Sequence, residues 1–329
     1  MLNSTHVSHI GVLTSGGDAP GMNAAIRAVV RTAVHYNKRI SGIFRGYEGM
    51  IEGDIQQMDA RSVGHIIQRG GTLLKSARCS DFLSPDGRAK AYQQLQHAGV
   101  DALIVIGGDG SFRGAAALTE EHHIPVVGIP GTIDNDLSGT DYTIGYDTAC
   151  NTVVRAVDAI RDTASSHNRI FFVEAMGRDS GYIALRAGIA AGMETIIIPE
   201  QETEADELLN RLIHGQRVKK SAALVMVSEG CKAGGAMDLA EKFRKACPHL
   251  EIRVTILGHI QRGGPPGCLD REYASRMGVA SVEGILTGQN AAMVGIQNQQ
   301  ITFTPFSLLQ AKNKPIDTEL LRIQKILSV

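Results

Sequence analysis

The 329-residue sequence predicts an α/β protein built on doubly wound parallel sheets. Three observations carry that expectation. Strand-like and helix-like stretches alternate almost throughout the chain, the order of a doubly wound fold. The strands are continuous Val/Ile/Leu runs rather than alternating ones, as expected of strands buried on both faces of a parallel sheet. Glycine makes up 37 of 329 residues, about 11% where ~7% is usual, and the glycines cluster directly after strands.

Taken in order, Val7–Leu13 reads as a buried strand and Met22–Tyr36 as a helix. Ile40–Phe44 is a strand, followed by helical patterns near Ser62–Gln68 and Arg88–Ala98. Ala102–Ile106 and Pro125–Ile129 are strands flanking a helix at Phe112–Glu121. A loop over 130–143 leads to a helix near Thr148–Thr163. Ile170–Ala175, Thr195–Ile198, Ala222–Val227 and Arg253–Leu257 are further strands separated by helices. In Pro315–Leu327, apolar residues at 316, 320, 323 and 327 form a helical stripe suited to packing. At roughly 100–200 residues per domain, the length suggests two domains or one large one. No Ser/Pro linker marks a boundary, which is placed near 145.

Composition excludes several classes. Lys+Arg is 33 and Asp+Glu is 34, a net charge of −1. Such a balance gives no global field for nucleic acid or an anionic membrane, though a local basic pocket stays open. Trp is absent and aromatics are 5%, so there is no stacking platform for nucleic acid. No apolar run approaches the roughly 18 residues of a membrane helix. The first ten residues lack a charged region and an apolar region, so no export signal is expected. The five cysteines (79, 150, 231, 247, 268) are an odd number without C-x-x-C, which favours a reducing cytoplasm over a disulfide or zinc framework.

Ligands of open parallel sheets bind outside the carboxyl ends of the strands. Six predicted strand ends carry glycine, a carboxylate or a basic residue: Thr14–Asn23, Gly107–Ser111, Pro130–Asp136, Met176–Arg178, Ser228–Glu229 and His259–Gly264. Six on one edge point to a single large polar site. Gly16-Gly17 and Gly107–Ser111 each open a helix, where bare N–H groups favour anions; the two loops can embrace a polyphosphate, or simply form tight turns. Asp109 would repel phosphate unless a cation intervenes, and Mg²⁺ bridging phosphate oxygens meets that need. Ser111 can assist or cap its helix. Thr132, Asp134 and Asp136 are spaced two apart, which puts them on one side of an extended loop. One carboxylate can accept a proton from a hydroxyl while the other faces a metal or water; the alternative is an Asx-turn with solvated acids. Arg178, His259 and Arg262 suit phosphate recognition, and Glu229 suits a sugar hydroxyl.

Arg169 and Arg253 stand at the opposite ends of their strands, roughly 16–20 Å from the ligand edge at strand rise. They fit a neighbouring subunit's site across a symmetric interface, or surface ion pairs.

Together these residues resemble the phosphofructokinase family, in particular its bacterial ATP-dependent members. The resemblance runs from Ile10 to about Gln299, on the motifs Gly11–Asn23, Gly107–Ser111, Pro130–Asp136, Met176–Arg178 and Gly258–Gly264. It implies two doubly wound parallel-sheet domains with the active site in the cleft between them. Residues 1–145 plus about 259–310 would bind ATP, and 146–258 plus about 311–329 would bind fructose 6-phosphate. It implies transfer of the ATP γ-phosphoryl group to the 1-hydroxyl of that sugar, in a cytoplasmic homotetramer with shared active sites. Asp134 would be the general base and Asp109 the Mg²⁺ ligand. Gly17, Arg78, Cys79, Gly108, Asp109, Gly110 and Ser111 would line the ATP site. Thr132, Asp134, Asp136, Met176, Gly177, Arg178, Glu229, His259 and Arg262 would contact the sugar phosphate or the transferring group. Arg169 and Arg253 match arginines that the family donates from the adjacent subunit.

Pyrophosphate-using relatives carry Asp at position 110 and Lys at 131; glycine at both here leaves room for ATP. Lys75 stands where the family commonly has Gly. Arg27, Arg31, Arg161, Glu194 and Lys220 resemble the family's allosteric site for ADP and phosphoenolpyruvate, or form a solvated basic face. Ala60, Val218 and Ser221 replace basic residues usual in that site. Among rival readings, a Walker-type NTPase lacks its Gly-Lys-Ser/Thr. A nicotinamide enzyme is mimicked by Gly108-x-Gly110-x-x-x-Gly114, but the next strand ends in Ile129-Pro130 with no acid for a ribose. A catalytically dead regulatory subunit is opposed by the intact Asp109, Asp134 and Arg178.

Overall fold

The computed structural model describes residues 7–166, 169–201, 223–248, 250–309 and 314–327. The chain divides into two units. The first comprises Met1–Ile133, Leu137–Asp147 and Arg262–Lys314; the second comprises Asp134–Asp136, Thr148–Gln261 and Pro315–Val329. The sequence reading assigns Asp134–Asp136 to the first part, whereas in the structure these three residues count with the second unit.

The first unit holds seven strands: β1 (His9–Thr14), β2 (Arg39–Ile43), β3 (Ile55–Met58), β4 (Ala102–Gly107), β5 (Val126–Pro130), β10 (Ala292–Gln297) and β11 (Gln300–Pro305). Their order is β11-β10-β5-β4-β1-β2-β3. Only the two edge strands, β3 and β11, pair antiparallel. Every residue of β1, β4 and β5 is buried, so each apolar run is covered on both faces, as the continuous pattern requires. Helices α1 (Met22–His35), α2 (Gly46–Glu52), α3 (Pro85–His97) and α4 (Asp109–His122) belong to this unit. A later helix, α8 (Cys268–Leu286), packs on α1. A Cβ on its Gly278 would lie 2.5 Å from Ala28 Cβ and 3.0 Å from Ala25 O, so only glycine permits that helix approach.

The second unit holds a four-stranded, wholly parallel sheet of order β7-β8-β6-β9. Its strands are β6 (Ile170–Ala175), β7 (Thr195–Ile197), β8 (Ala223–Ser228) and β9 (Ile252–Ile256). Helices α5 (Tyr146–Ser165), α6 (Tyr182–Ala190) and α7 (Ala236–Ala246) are joined by a last helix, Thr318–Leu327. Phe172, Val225, Leu239 and Phe243 form part of its core. Ala222, the expected start of β8, lies outside the described residues.

Ser62–Gln68 is not a helix. His65 takes φ +54° and a run of turns replaces the expected coil. Val63 and Ile66 are nevertheless buried, so the three-residue apolar spacing was real and successive turns satisfy it.

Candidate active site

In the first unit the strand register brings three loops to one edge. Thr14 lies opposite Ile106, and Gly107 opposite Pro130. Ser15 N–H donates to Ile106 O at 2.9 Å and Gly131 N–H to Gly107 O at 2.9 Å, which locks the loop starts side by side. A Cβ on Gly107 would meet Ser111 Oγ at 2.5 Å and Ser15 O at 2.6 Å. Glycine there is a packing requirement, and it lets the Gly16 and Gly108–Ser111 loops touch. Gly108 precedes α4 without any side-chain cap, so the first-turn N–H groups keep no side-chain acceptor and suit an anion. Arg262 leans on Gly17, whose added Cβ would lie 2.8 Å from its Nη1. Arg262 belongs to the first unit, as does the Gly16-Gly17 loop beside it.

Asp109 is partly exposed at the first position of α4, and its Oδ2 is 3.1 Å from Arg113 Nη2. Tyr47 OH donates to Ser111 O at 2.6 Å. Burial pushes the Tyr47 phenol far up, so it stays a donor. Its ring stacks on Phe82 at 3.8 Å between centroids. Arg78 and Cys79 line a cavity of about 160 Å³ with Glu48, Ile51, Glu52, Ser80 and Asp81. Sequence reasoning missed Glu48, Glu52 and Tyr47. The signal available was a short segment after β2 whose two glutamates are one helical turn apart. Gly110 faces open space, with nothing within 4 Å of an added Cβ.

Thr132, Asp134 and Asp136 are half-buried, while Ile133, Asn135 and Leu137 between and beside them are buried. This alternation matches the spacing of two, although Asn135 takes φ +54°. Thr143 Oγ1 donates to Thr132 O at 2.6 Å.

In the second unit Met176–Arg178, Glu229 and His259 follow β6, β8 and β9 at one sheet edge. Glu229 Oε1 accepts the N–H groups of Gly177 at 3.3 Å and Arg178 at 2.7 Å. Arg178 itself takes φ +55° and Gly177 φ +155°. Glu229 therefore fixes the turn that presents the Arg178 side chain, which is exposed. Gln261, fully buried, accepts from Met176 N–H at 3.1 Å and donates to Gly258 O at 3.0 Å. It was not singled out in the sequence because an amide carries no charge or nucleophile signal.

Arg169 and Arg253 are not brought to that edge. Their strands begin side by side, Ile170 opposite Ile252. Both arginines pair with Glu251, Arg169 Nε at 2.9 Å and Arg253 through a short contact. The Arg169 guanidinium first, then Arg253, holds the Glu251 carboxyl below its usual range. Of the suggested effector residues, Arg27 and Arg31 lie on α1. Arg161 donates to Ala191 O at 2.5 Å and Gly192 O at 2.8 Å, with Glu194 3.9 Å away. Lys220, Val218 and Ser221 lie outside the described residues. Lys75 takes φ +59°, which explains why glycine suits that position.

Two parallel-sheet α/β units with glycine-rich and charged loops at their strand ends define a protein that handles phosphorylated ligands. The chain belongs to the phosphofructokinase family, whose model matches residues 9–285. It is 51% identical over 323 residues to an ATP-dependent 6-phosphofructokinase 2 of Bacteroides thetaiotaomicron, covering 98% of this chain and 99% of that one. It is 52% identical over 325 residues to an ATP-dependent 6-phosphofructokinase 1 of Thermus thermophilus, covering 98% and 100%. Phosphofructokinase from Saccharomyces cerevisiae superposes with a TM-score of 0.86 at 35% identity; the match covers 98% of this chain and 48% of the yeast chain. A pyrophosphate-dependent phosphofructokinase from Marinobacter aquaeolei, TM-score 0.85 at 22% identity over 95% of this chain and 86% of that one, shares the fold.

Proposed function

We propose that this chain transfers the γ-phosphoryl group of ATP to the 1-hydroxyl of fructose 6-phosphate, giving fructose 1,6-bisphosphate and ADP in glycolysis. The observation that carries the reading is about 50% identity, across nearly the whole chain, with proteins named ATP-dependent 6-phosphofructokinases. The open space at Gly110 supports a nucleotide donor, since an Asp side chain there would fill it.

In this reading the first unit binds ATP and the second binds the sugar phosphate. Gly17, Gly108, Gly110 and Ser111 hold the polyphosphate, and Arg78 and Cys79 border the rest of the nucleotide. Asp134 accepts the proton of the 1-hydroxyl as its oxygen attacks. Arg178 offsets charge on the transferring group, and Thr132 and Asp136 assist in the transfer. Met176, Gly177, Glu229, His259 and Arg262 orient the sugar phosphate. Positioning and charge stabilisation suffice for such a transfer.

The residues present fit Mg²⁺. The partly exposed Asp109 carboxylate stands beside uncapped N–H groups that suit phosphate. With phosphate bound by those N–H groups, the carboxylate suits an ion held mainly by phosphate oxygens and water. Asp109 would hold it, and the bound ion supplies charge neutralisation between phosphate oxygens.

We place the protein in the cytoplasm; no described helix is long and apolar enough to cross a membrane. It acts as a homotetramer in which Arg169 and Arg253 serve a neighbour's site, with ADP or phosphoenolpyruvate as effectors. No nucleic acid or membrane partner is invoked. The test is an aldolase-coupled assay on fructose 6-phosphate with ATP and then with pyrophosphate. ATP should support turnover and pyrophosphate should not; a faster pyrophosphate reaction overturns the donor assignment.

A further inference from the structure

We infer that Ser180 is a positioning residue whose hydroxyl ties the main chain of Asp134 to the turn presenting Arg178. The inference rests on the reading of Asp134 as the general base.

Ser180 is buried, and its Oγ stands 3.1 Å from Asp134 O and 2.9 Å from Gly177 O. One hydroxyl has one proton, so the two carbonyls share it. Gly177 O is also the acceptor of Ser180 N–H at 2.9 Å, which closes the four-residue turn Gly177–Ser180. That turn contains Arg178 in the left-handed region, a conformation uncommon for a non-glycine residue that must be held from outside. Glu229 holds it from one side through two N–H groups. Ser228, wholly buried at the end of β8, holds its far end by donating to Ser180 O at 3.0 Å. Ser180 Oγ then links this braced turn to the backbone of Asp134.

The consequence is specific. Asp134–Asp136 is a three-residue excursion of a chain whose flanks belong to the first unit. The buried Ser180 hydroxyl reaches the Asp134 carbonyl from the braced turn, so it helps set where the Asp134 carboxylate stands relative to Arg178. Loss of the hydroxyl should therefore reduce the chemical step more than binding of ATP, which the reading assigns to the other unit.

The test uses the full chain with Ser180→Ala, Ser180→Thr and Ser180→Val, and Asp134→Asn as control. Threonine and valine have the same shape, so a packing defect affects both alike and their difference reports the hydroxyl. Ala and Val should lower kcat about tenfold, the scale of one buried hydrogen bond. KM for ATP should stay within about twofold, and Thr should return kcat to within about threefold of the parent. Equal kcat for the Thr and Val variants, or a parental kcat for Ala, overturns the inference. Turnover surviving in Asp134→Asn instead removes the base assignment, whatever Ser180 does. An inert Asp134→Asn beside equal Thr and Val variants removes only the role of Ser180.

Discussion

Gly230 offers the sharpest perturbation of the turn that carries Arg178. A Cβ added there would lie 1.9 Å from Arg178 O and 3.0 Å from Arg178 C. Real Cβ contacts stop near 3.0 Å, so Gly230→Ala must part the two backbones by about 1.1 Å. The obstacle is main chain and cannot rotate away. Because Gly230 does not occupy the positive-φ region, the whole effect comes from this contact rather than from backbone strain. Overpacking of this kind costs about 1–3 kcal/mol of stability, which moves Tm by only several degrees in a chain this long. The rate should suffer more, since a displacement of about 1 Å near a reacting group can cost 10²-fold. Steady-state kinetics and a thermal melt on the same preparation should show kcat about a hundredfold down, KM for ATP unchanged and the protein folded. A folded variant with kcat within about threefold of the parent refutes the claim that this turn's backbone positions Arg178.

Four further outcomes are expected. Arg178→Ser should lower kcat/KM by about 10²–10³, the scale of losing one charge-stabilising donor, read in the aldolase-coupled assay. Arg253→Ala and Asp134→Asn, each inactive alone, should regain activity when subunits are mixed, because each supplies what the other lacks; inactive hybrids would end the shared-site reading. Velocity at subsaturating fructose 6-phosphate should respond to ADP or phosphoenolpyruvate, and a flat response to both would leave Arg27 and Arg31 as a solvated basic face. His9 is pushed below the usual 6.5 by burial and then by Arg39, against hydrogen bonding to Gly99 O. The unfolded chain therefore takes up this proton first. The stability that His9 contributes is intact above about pH 6.5 and falls as pH drops toward the lower folded-state value. Urea titrations from pH 8 to 5 should show that decline, flattened in His9→Gln.

Much of the fold was legible because β1, β4, β5, β6 and β8 are short apolar runs with turn residues behind them. What escaped was written in weaker chemistry. The β10–β11 hairpin turns at Asn298 and Gln299, with φ +48° and +64°; both want left-handed backbone, yet no glycine advertises it. β3 is four residues with Gln56 and Gln57 exposed between its ends, too short and polar to declare a strand. The strand-end loops were readable from their glycines and charges. The braces behind them, Tyr47, Ser180 and Gln261, are neutral donors and acceptors, each with a partner 46 to 85 residues away, and no local pattern reveals such pairings.

Gln261 has a consequence of its own. With oxygen taken by one loop and nitrogen given to another, it demands a side chain that offers both polarities at a site closed to water. Glutamate would offer no proton to Gly258 and would bring an unsolvated charge; leucine would strand two peptide groups. The loops after β6 and β9 are thereby stitched into one piece by a wholly buried amide.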